Sequence, residues 1–193
     1  MRRVCVFCGS SSGARACYVD AARALGRVLA QGKIGLVYGG GRVGLMGVLA
    51  DTVMAAGGEV VGVIPEAMVS KEVAHQGLTD LRVVGSMHER KALMAELADA
   101  FVALPGGFGT FEEFCEIVTW AQLGLHRKPC GLLNVEGYYD RLLALFDHAV
   151  AEQFVRPMHR ALVLEEHDPE RLLRLLAAYR APELAQWIDR DET

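Results

Sequence analysis

The stretch Phe101–Glu113, FVALPGGFGTFEE, carries the pattern that decides the fold. Its first four residues are apolar without interruption, as in a strand that is covered on both faces of a sheet. Pro105 ends this strand, and the glycines that follow form a tight loop. The residues from Thr110 onwards begin a helix. A strand, a glycine loop and a helix in this order are typical of one unit of a doubly wound α/β sheet.

The same alternation of short apolar runs and amphipathic segments recurs along the whole chain. The predicted strands are Val4–Phe7, Ile34–Tyr38, Val60–Ile64, Leu81–Val84, Phe101–Leu104, Gly131–Val135 and Ala161–Leu164. The predicted helices are Ala21–Ala30, Leu45–Ala56, Met87–Leu97, Thr110–Leu123, Tyr138–Ala151 and Pro169–Ala178. This alternation predicts an α/β fold, with a mostly parallel sheet of about seven strands flanked by helices.

Length and composition are those of a single domain. The chain has 193 residues, of which 52% are hydrophobic and 23% charged. One domain over residues 1–193 is therefore expected, with a polar, peripheral tail at 180–193. No apolar run approaches the ~18–20 residues that span a bilayer, and the run after Arg3 is too short for a signal peptide. We expect a cytoplasmic protein without a membrane partner.

Charge and cysteine content exclude further classes. The net charge is −4 and the basic residues are scattered, so no nucleic-acid partner is expected. The five cysteines are an odd number, which argues against a disulfide framework. Cys5 and Cys8 have the spacing of a redox pair, but residues three apart on an extended chain face opposite sides. We interpret both as small buried hydrophobic residues.

Two glycine loops follow the first two predicted strands, where a doubly wound sheet binds its ligands. The first loop, Gly9–Gly13, offers hydroxyls to a phosphate or ribose, although it also fits a turn capped by a serine. The second loop, Gly39–Gly44, matches the pattern G-x-G-x-x-G, with Glu66 only approximately where a dinucleotide site places its acid. A tight turn with close helix packing explains the second loop as well. From these loops we select Ser10, Gly40 and Gly41 as candidate ligand contacts.

The third loop, Pro105–Thr110, opens a helix whose free amides and partial positive charge suit a phosphate. Two interpretations of the carboxylates on this helix remain open. Glu113 fits a capping box with Thr110, in which both side chains bond amides of the helix end. Alternatively, Glu113 borders a functional face formed by Glu112, Glu116 and Thr119.

A charged cluster, Met87–Lys91 (MHERK), begins the helix after the fourth predicted strand. Cations are unfavourable at the amino end of a helix, so a phosphate or a carboxylate must compensate for them. Arg90 can form a bidentate pair with either group. A solvated helix face is the alternative.

The motifs PGGxGTxxE, at Pro105–Glu113, and MHERK, at Met87–Lys91, resemble those of the LOG ("Lonely Guy") family. Members of this family are cytokinin-activating phosphoribohydrolases that were long labelled lysine decarboxylases. The segments Gly39–Gly47 and Thr119–Gly124 are similar as well, so the resemblance covers roughly residues 4–165. No sequence context for a pyridoxal-binding lysine is apparent, which argues against a decarboxylase.

The resemblance implies a Rossmann-like fold and a homodimer. We expect no cofactor, and no metal ion either, because the six histidines show no metal-ligand spacing with cysteines or acids. It implies hydrolysis of the N-glycosidic bond of an adenine-type nucleoside 5′-monophosphate, giving the free base and ribose 5-phosphate. Cytokinin riboside monophosphates and AMP are the expected substrates. Arg90 and Glu113 are implied as catalytic residues. The residues implied in substrate binding are Glu72, Lys91, Gly107, Phe108, Gly109, Thr110, Glu112 and Thr119.

The chemistry of the reaction agrees with these assignments, because cleavage builds positive charge on the sugar. A carboxylate such as Glu113 either stabilises this charge or activates the attacking water. Arg90 either holds Glu113 ionised or binds an oxygen of the ribose or phosphate. Two other functions fit the same fold. A non-catalytic carrier of a nucleotide or cofactor would not need both Arg90 and Glu113, and a dinucleotide-dependent oxidoreductase would need a separate substrate domain.

Overall fold

A computed structural model describes residues 1–69 and 74–182 of the chain. Its sheet has seven strands in the order β4-β3-β2-β1-β5-β6-β7, and all neighbouring strands pair in parallel. The strands are β1 Arg3–Phe7, β2 Gly35–Tyr38, β3 Val60–Pro65, β4 Asp80–Val84, β5 Ala100–Ala103, β6 Cys130–Leu133 and β7 Val163–Glu166. The predicted α/β fold is thus confirmed, with each predicted strand in place.

Helices connect the strands. They are α1 Ala16–Gln31, α2 Gly44–Ala55, α3 Glu66–Val69, α4 Met87–Leu97, α5 Phe108–Gln122, α6 Asp140–Ala151, α7 Pro157–Arg160 and α8 Pro169–Ala178. The six predicted helices are present. The helices α3 and α7 were not predicted, because four residues are too few to show a helical period. A 3₁₀ turn at Val135–Gly137 was not predicted either.

The core lies on both faces of the sheet. One face packs against α1, α2 and α8 and the other against α4, α5 and α6. Side chains of β1 alternate between the two faces. Cys8 accordingly belongs to the first core and Cys5 to the second, and both are buried as free thiols, as predicted.

The strand order places a crevice beside β1. The chain builds the sheet outwards from β1 through β2 and β3 to β4, then returns to add β5 on the other side of β1. Connections therefore leave β1 and β5 in opposite directions. Ligands bind in the crevice that such a reversal opens at the carboxyl ends of the strands. The first and third loops begin at this point.

In the part of the chain that the structure describes, none of the helices has the length and apolarity needed to cross a bilayer. Most of the predicted peripheral tail, from residue 183 onwards, lies outside the described residues.

Candidate active site

The three glycine loops meet at the crevice. The amide of Gly9 donates to the carbonyl of Pro105 at 3.1 Å, and the amide of Leu45 donates to the carbonyl of Gly9 at 3.0 Å. Gly44 has a φ of +59°, and a Cβ at this position would overlap the backbone of Ser10. Glycine is required there. The first loop is thus held between the second and third loops.

A cavity of about 230 Å³ opens where the loops meet. The predicted site residues that line it are Ser10, Arg90, Gly107, Phe108, Gly109, Thr110 and Glu113. Its other lining residues are Val6, Phe7, Cys8, Gly9, Gly39, Met46 and Met94. Sequence reasoning placed Gly9 and Gly39 in the predicted ligand loops without selecting either one, and it missed the other five because apolar walls carry no chemical signature. Only their position directly after β1 and β2, where ligands bind, could have indicated some of them.

Arg90 is almost completely buried on the wall of this cavity, with 6% of its surface exposed. Its Nε donates to the carbonyl of Val63 at 3.1 Å, and its Nη2 donates to the carbonyl of Gly39 at 3.2 Å. Its Nη1 lies 3.6 Å from Oε1 of Glu113. Buried charges are tolerated only when they are paired and hydrogen-bonded. These partners satisfy the guanidinium and hold its charge against the carboxylate.

Glu113 lies in the second turn of α5, and 11% of its side chain is exposed. The helix begins at Phe108, and its N-cap is Gly107, which has no side chain to bond the first amides. Thr110 is therefore inside the helix rather than at its cap, and the capping-box interpretation of Glu113 is wrong. The carboxylate is instead paired with Arg90.

The charges of this pair act on the thiol of Cys8. Burial raises the pKa of Cys8, the negative Glu113 raises it further, and the positive Arg90 opposes both effects. The net shift is far upward, so the thiol is protonated at neutral pH. Cys8 is accordingly a neutral wall of the cavity and has no nucleophilic character.

The amino end of α5 presents its first backbone amides to the cavity. The first amides of a helix have no partner within it, and they attract anions. A Cβ at Gly107 or at Gly109 would meet no atom of another part of the protein within 4 Å, so this end of the helix is not covered at these two residues. Thr110 is buried beside them, whereas Phe108 stands at the rim with 92% exposure. This arrangement suits a phosphate.

Lys91 and its partners lie beside the cavity rather than in its lining. The Nζ of Lys91 is 2.5 Å from Oε1 of Glu112 and 2.9 Å from Oε1 of Glu116. Burial lowers the pKa of Lys91, but its hydrogen bonds to the two carboxylates outweigh this effect and the net pKa is raised. Thr119, further along α5, donates to the carbonyl of Cys115. Carboxylates thus compensate the basic residues at the start of α4.

The second loop contributes to the cavity through Gly39 rather than through Gly40 and Gly41. Gly40 has a φ of +74°, and a Cβ there would lie 3.1 Å from Ile64. Gly41 forms an isolated antiparallel bridge with Ala74. Gly40 and Gly41 thus allow close packing of the second loop, which is what the tight-turn interpretation predicts. The remaining candidate, Glu72, lies outside the described residues.

A second cavity of about 300 Å³ adjoins the first one and shares Gly9, Ser10 and Gly107 with it. Its aromatic lining consists of Tyr18 and Tyr138. Sites for small ligands usually enclose about 300–1,000 Å³. The first cavity is smaller than this range and the second lies at its lower limit. The two cavities together therefore have a volume within the range for a small ligand such as a nucleotide.

Residues 46–176 match the model of a protein family described as possible lysine decarboxylase. A probable cytokinin riboside 5′-monophosphate phosphoribohydrolase of Oryza sativa subsp. japonica is 57% identical over 178 residues, which are 92% of this chain and 78% of the relative. A cytokinin riboside 5′-monophosphate phosphoribohydrolase of Arabidopsis thaliana is 51% identical over 178 residues, which are 92% of this chain and 82% of the relative.

Solved structures show the same fold at much lower identity. The molybdenum cofactor carrier protein of Chlamydomonas reinhardtii has a TM-score of 0.70 and 20% identity, covering 92% of this chain and 99% of its own. The molybdenum cofactor binding protein of Rippkaea orientalis has a TM-score of 0.68 and 22% identity, covering 92% of this chain and 96% of its own. At this identity the likeness concerns the fold alone.

Proposed function

The chain belongs to the LOG family of cytokinin riboside 5′-monophosphate phosphoribohydrolases, and we propose that it hydrolyses the N-glycosidic bond of these nucleotides. Water adds to C1′ of the ribose as the bond from C1′ to the base breaks, and the base leaves with a proton. The products are a free cytokinin and ribose 5-phosphate. The observation that carries the proposal is the buried Arg90–Glu113 pair beside the open amino end of α5.

The phosphate of the substrate binds at the amides of Gly107–Thr110. The partial positive charge of the helix end stabilises it, and no other part of the protein covers the helix end at Gly107 and Gly109. Glu113 follows this site by about one helical turn, or roughly 5.4 Å along the axis. A bound phosphate therefore places the ribose, and not the base, next to the carboxylate.

Glu113 supplies the negative charge of the reaction. Departure of the base leaves oxocarbenium character on the ribose, which a carboxylate at close range stabilises. Arg90 keeps this carboxylate ionised and oriented, because its own position is fixed by the carbonyls of Val63 and Gly39. In this proposal the anionic Glu113 contacts the sugar, and the cationic Arg90 holds Glu113 in position.

The remaining substrate contacts come from the rim of the cavity and from the matched motifs. In this proposal Phe108 covers the bound nucleotide and Ser10 bonds its oxygens; the exposure of Phe108 at the rim and the position of Ser10 in the cavity lining support these roles. Glu72, Lys91, Glu112 and Thr119 are assigned only by the resemblance of their motifs. We include AMP as a second substrate and a cytoplasmic homodimer as the working form of the protein.

A carrier function has less support. The solved structures of molybdenum cofactor proteins share the fold, but the relatives at 51–57% identity are named as hydrolases. The description of the matching family model as possible lysine decarboxylase is not carried over, because the relatives at 51–57% identity are named as phosphoribohydrolases.

The test is the release of base from isopentenyladenosine 5′-monophosphate and AMP, followed by chromatography. The matching ribosides, which lack the phosphate, are the controls. We expect the ribosides to react at least ~100-fold more slowly, because the phosphate positions the ribose against Glu113. Equal rates for nucleotide and riboside would contradict the phosphate site at α5.

A further inference from the structure

We propose that His75 is a positioning residue for Arg90 and acts through the second loop. The proposal rests on the proposed function, because it needs Arg90 to take part in the reaction. His75 lies outside the lining of both cavities, and its link to Arg90 runs through a short series of bonds.

The position of the Arg90 guanidinium depends on the second loop. Its Nη2 bonds the carbonyl of Gly39, the first residue after β2, and a Cβ at Gly39 would overlap the guanidinium. The direction of this carbonyl is set by the loop that follows, in which Gly40 has a positive φ. A shift of the loop therefore moves an acceptor of the buried Arg90.

His75 fixes this loop through the backbone. Its amide donates to the carbonyl of Gly40 at 3.0 Å, and the preceding Ala74 forms the bridge to Gly41. On its other side the loop is attached to the first loop at Gly44 and Leu45. Ala74 and His75 thus attach the loop at Gly40 and Gly41, in addition to its attachment to the first loop.

The side chain of His75 is anchored in turn. The ring is buried, with 5% exposure, and its Nε2 lies 2.9 Å from Oδ1 of Asp51 on α2. When Nε2 donates to this carboxylate, Nδ1 is an acceptor, and among the described residues it has no hydrogen-bond partner. A buried acceptor without a partner costs free energy, so the ring is a poor choice for packing alone. Its bond to Asp51 is what an apolar side chain would not supply.

These bonds close a frame around the second loop. The loop leads into α2, α2 carries Asp51, and Asp51 holds His75, whose amide returns to Gly40. Breaking the bond between His75 and Asp51 leaves the backbone bonds of Ala74 and His75 to the loop in place, but the two residues that make these bonds lose their anchor on α2. The carbonyl that seats Arg90 is then free to shift, whereas the phosphate site on α5 is untouched.

The test compares His75→Leu and Asp51→Ala, which remove the same bond from its two ends, with His75→Gln, which keeps a donor. Misplacement of a catalytic group by about 1 Å can cost ~100-fold in rate. We expect kcat to fall at least ~10-fold in His75→Leu and Asp51→Ala while KM stays within about 3-fold, and His75→Gln to recover part of the loss. Asp51 is largely exposed, so its substitution leaves the fold intact if His75→Leu does not fold.

Tyr38→Phe is the matched control. It removes a buried hydroxyl that has no partner among the described residues, directly before Gly39, and leaves the His75–Asp51 bond in place. Its kcat should equal that of the wild type. Wild-type kcat in His75→Leu and Asp51→Ala, with only a lower melting temperature, would overturn the proposal and leave His75 a merely structural residue.

A second readout separates this proposal from the proposed function. Amide hydrogen exchange over residues 39–45 should be faster in Asp51→Ala than in Tyr38→Phe. If the wild type releases no base from any nucleotide, the proposed function fails, and unchanged exchange over residues 39–45 would then overturn the positioning role independently.

Discussion

Gly39 is the residue on which the geometry of the site depends most directly. Its carbonyl accepts from Nη2 of Arg90, and its missing side chain makes room for the same guanidinium. The sequence predicted a role for glycines in this loop but selected Gly40 and Gly41. Which glycine faces the cavity depends on the path of the loop, and a run of identical residues does not reveal that path.

The substitution Gly39→Ala tests this contact between Gly39 and the guanidinium of Arg90. The added Cβ would overlap the guanidinium of Arg90, so a buried group must move. We expect the free energy of unfolding to fall by about 1–3 kcal/mol and kcat/KM to fall roughly 100-fold. Chemical denaturation and the base-release assay measure the two effects. In Gly107→Ala, where the Cβ would meet no atom of another part of the protein within 4 Å, the loss should stay below about 1 kcal/mol, the usual cost of alanine at an N-cap. A Gly39→Ala variant with wild-type activity would contradict the claim that Gly39 positions Arg90.

The cysteines give a second test at this scale. Burial raises the pKa of Cys5, Cys8 and Cys130, so these thiols stay protonated near neutral pH and react slowly. Cys115 is exposed on α5, although burial of its sulfur and Glu112 also raise its pKa. We expect iodoacetamide to label Cys115 in the folded protein and to reach the other three only after unfolding. Peptide mass spectrometry measures this, and early labelling of Cys8 would show that the cavity wall is not as described.

At the scale of elements, α4 and α5 bring Arg90 and Glu113 together. Arg90 and Glu113 lie on consecutive helices, and β5 between them sends α5 back across the crevice. Spacing along the chain does not predict their contact, which the resemblance of the motifs indicated instead. The apolar strands were predictable because both faces of the sheet are covered. The single-turn helices α3 and α7 were not, since their residues lack a period.

Lys91 connects the same two helices and can be tested by Lys91→Met. Loss of its bonds to Glu112 and Glu116 should lower the free energy of unfolding by about 1 kcal/mol, a modest amount because the carboxylates are partly exposed to solvent. Urea denaturation measures the change, and Glu116→Gln is the milder matched variant. Unchanged stability in Lys91→Met would mean that this link between α4 and α5 does not contribute.

At the scale of the molecule, the strand order creates the site. Parallel strands, their number and a doubly wound order followed from the sequence. The position of the reversal, beside β1, did not, because chain order alone does not state which strands are neighbours. The tail from residue 180 and Glu72 remain predictions, since residue 72 and nearly all of the tail fall outside the described ranges.

The homodimer is also tested at this scale. Trp120 on α5 is only half-buried, although it packs against the core, and it lines a cavity of about 220 Å³ between α4 and α5. We expect light scattering after size exclusion to give twice the chain mass of 21.0 kDa. A mass equal to that of one chain at micromolar concentration would contradict the dimer.

The central claim is that Glu113, held by Arg90, carries the hydrolysis of a nucleoside 5′-monophosphate. The most direct measurement is the release of free base from isopentenyladenosine 5′-monophosphate by the wild type and by Glu113→Gln at equal concentration. The substitution keeps the size of the side chain and removes its charge. We expect the wild type to release base and ribose 5-phosphate in equal amounts and Glu113→Gln to be at least ~1,000-fold slower. Wild-type rates in Glu113→Gln would contradict the account.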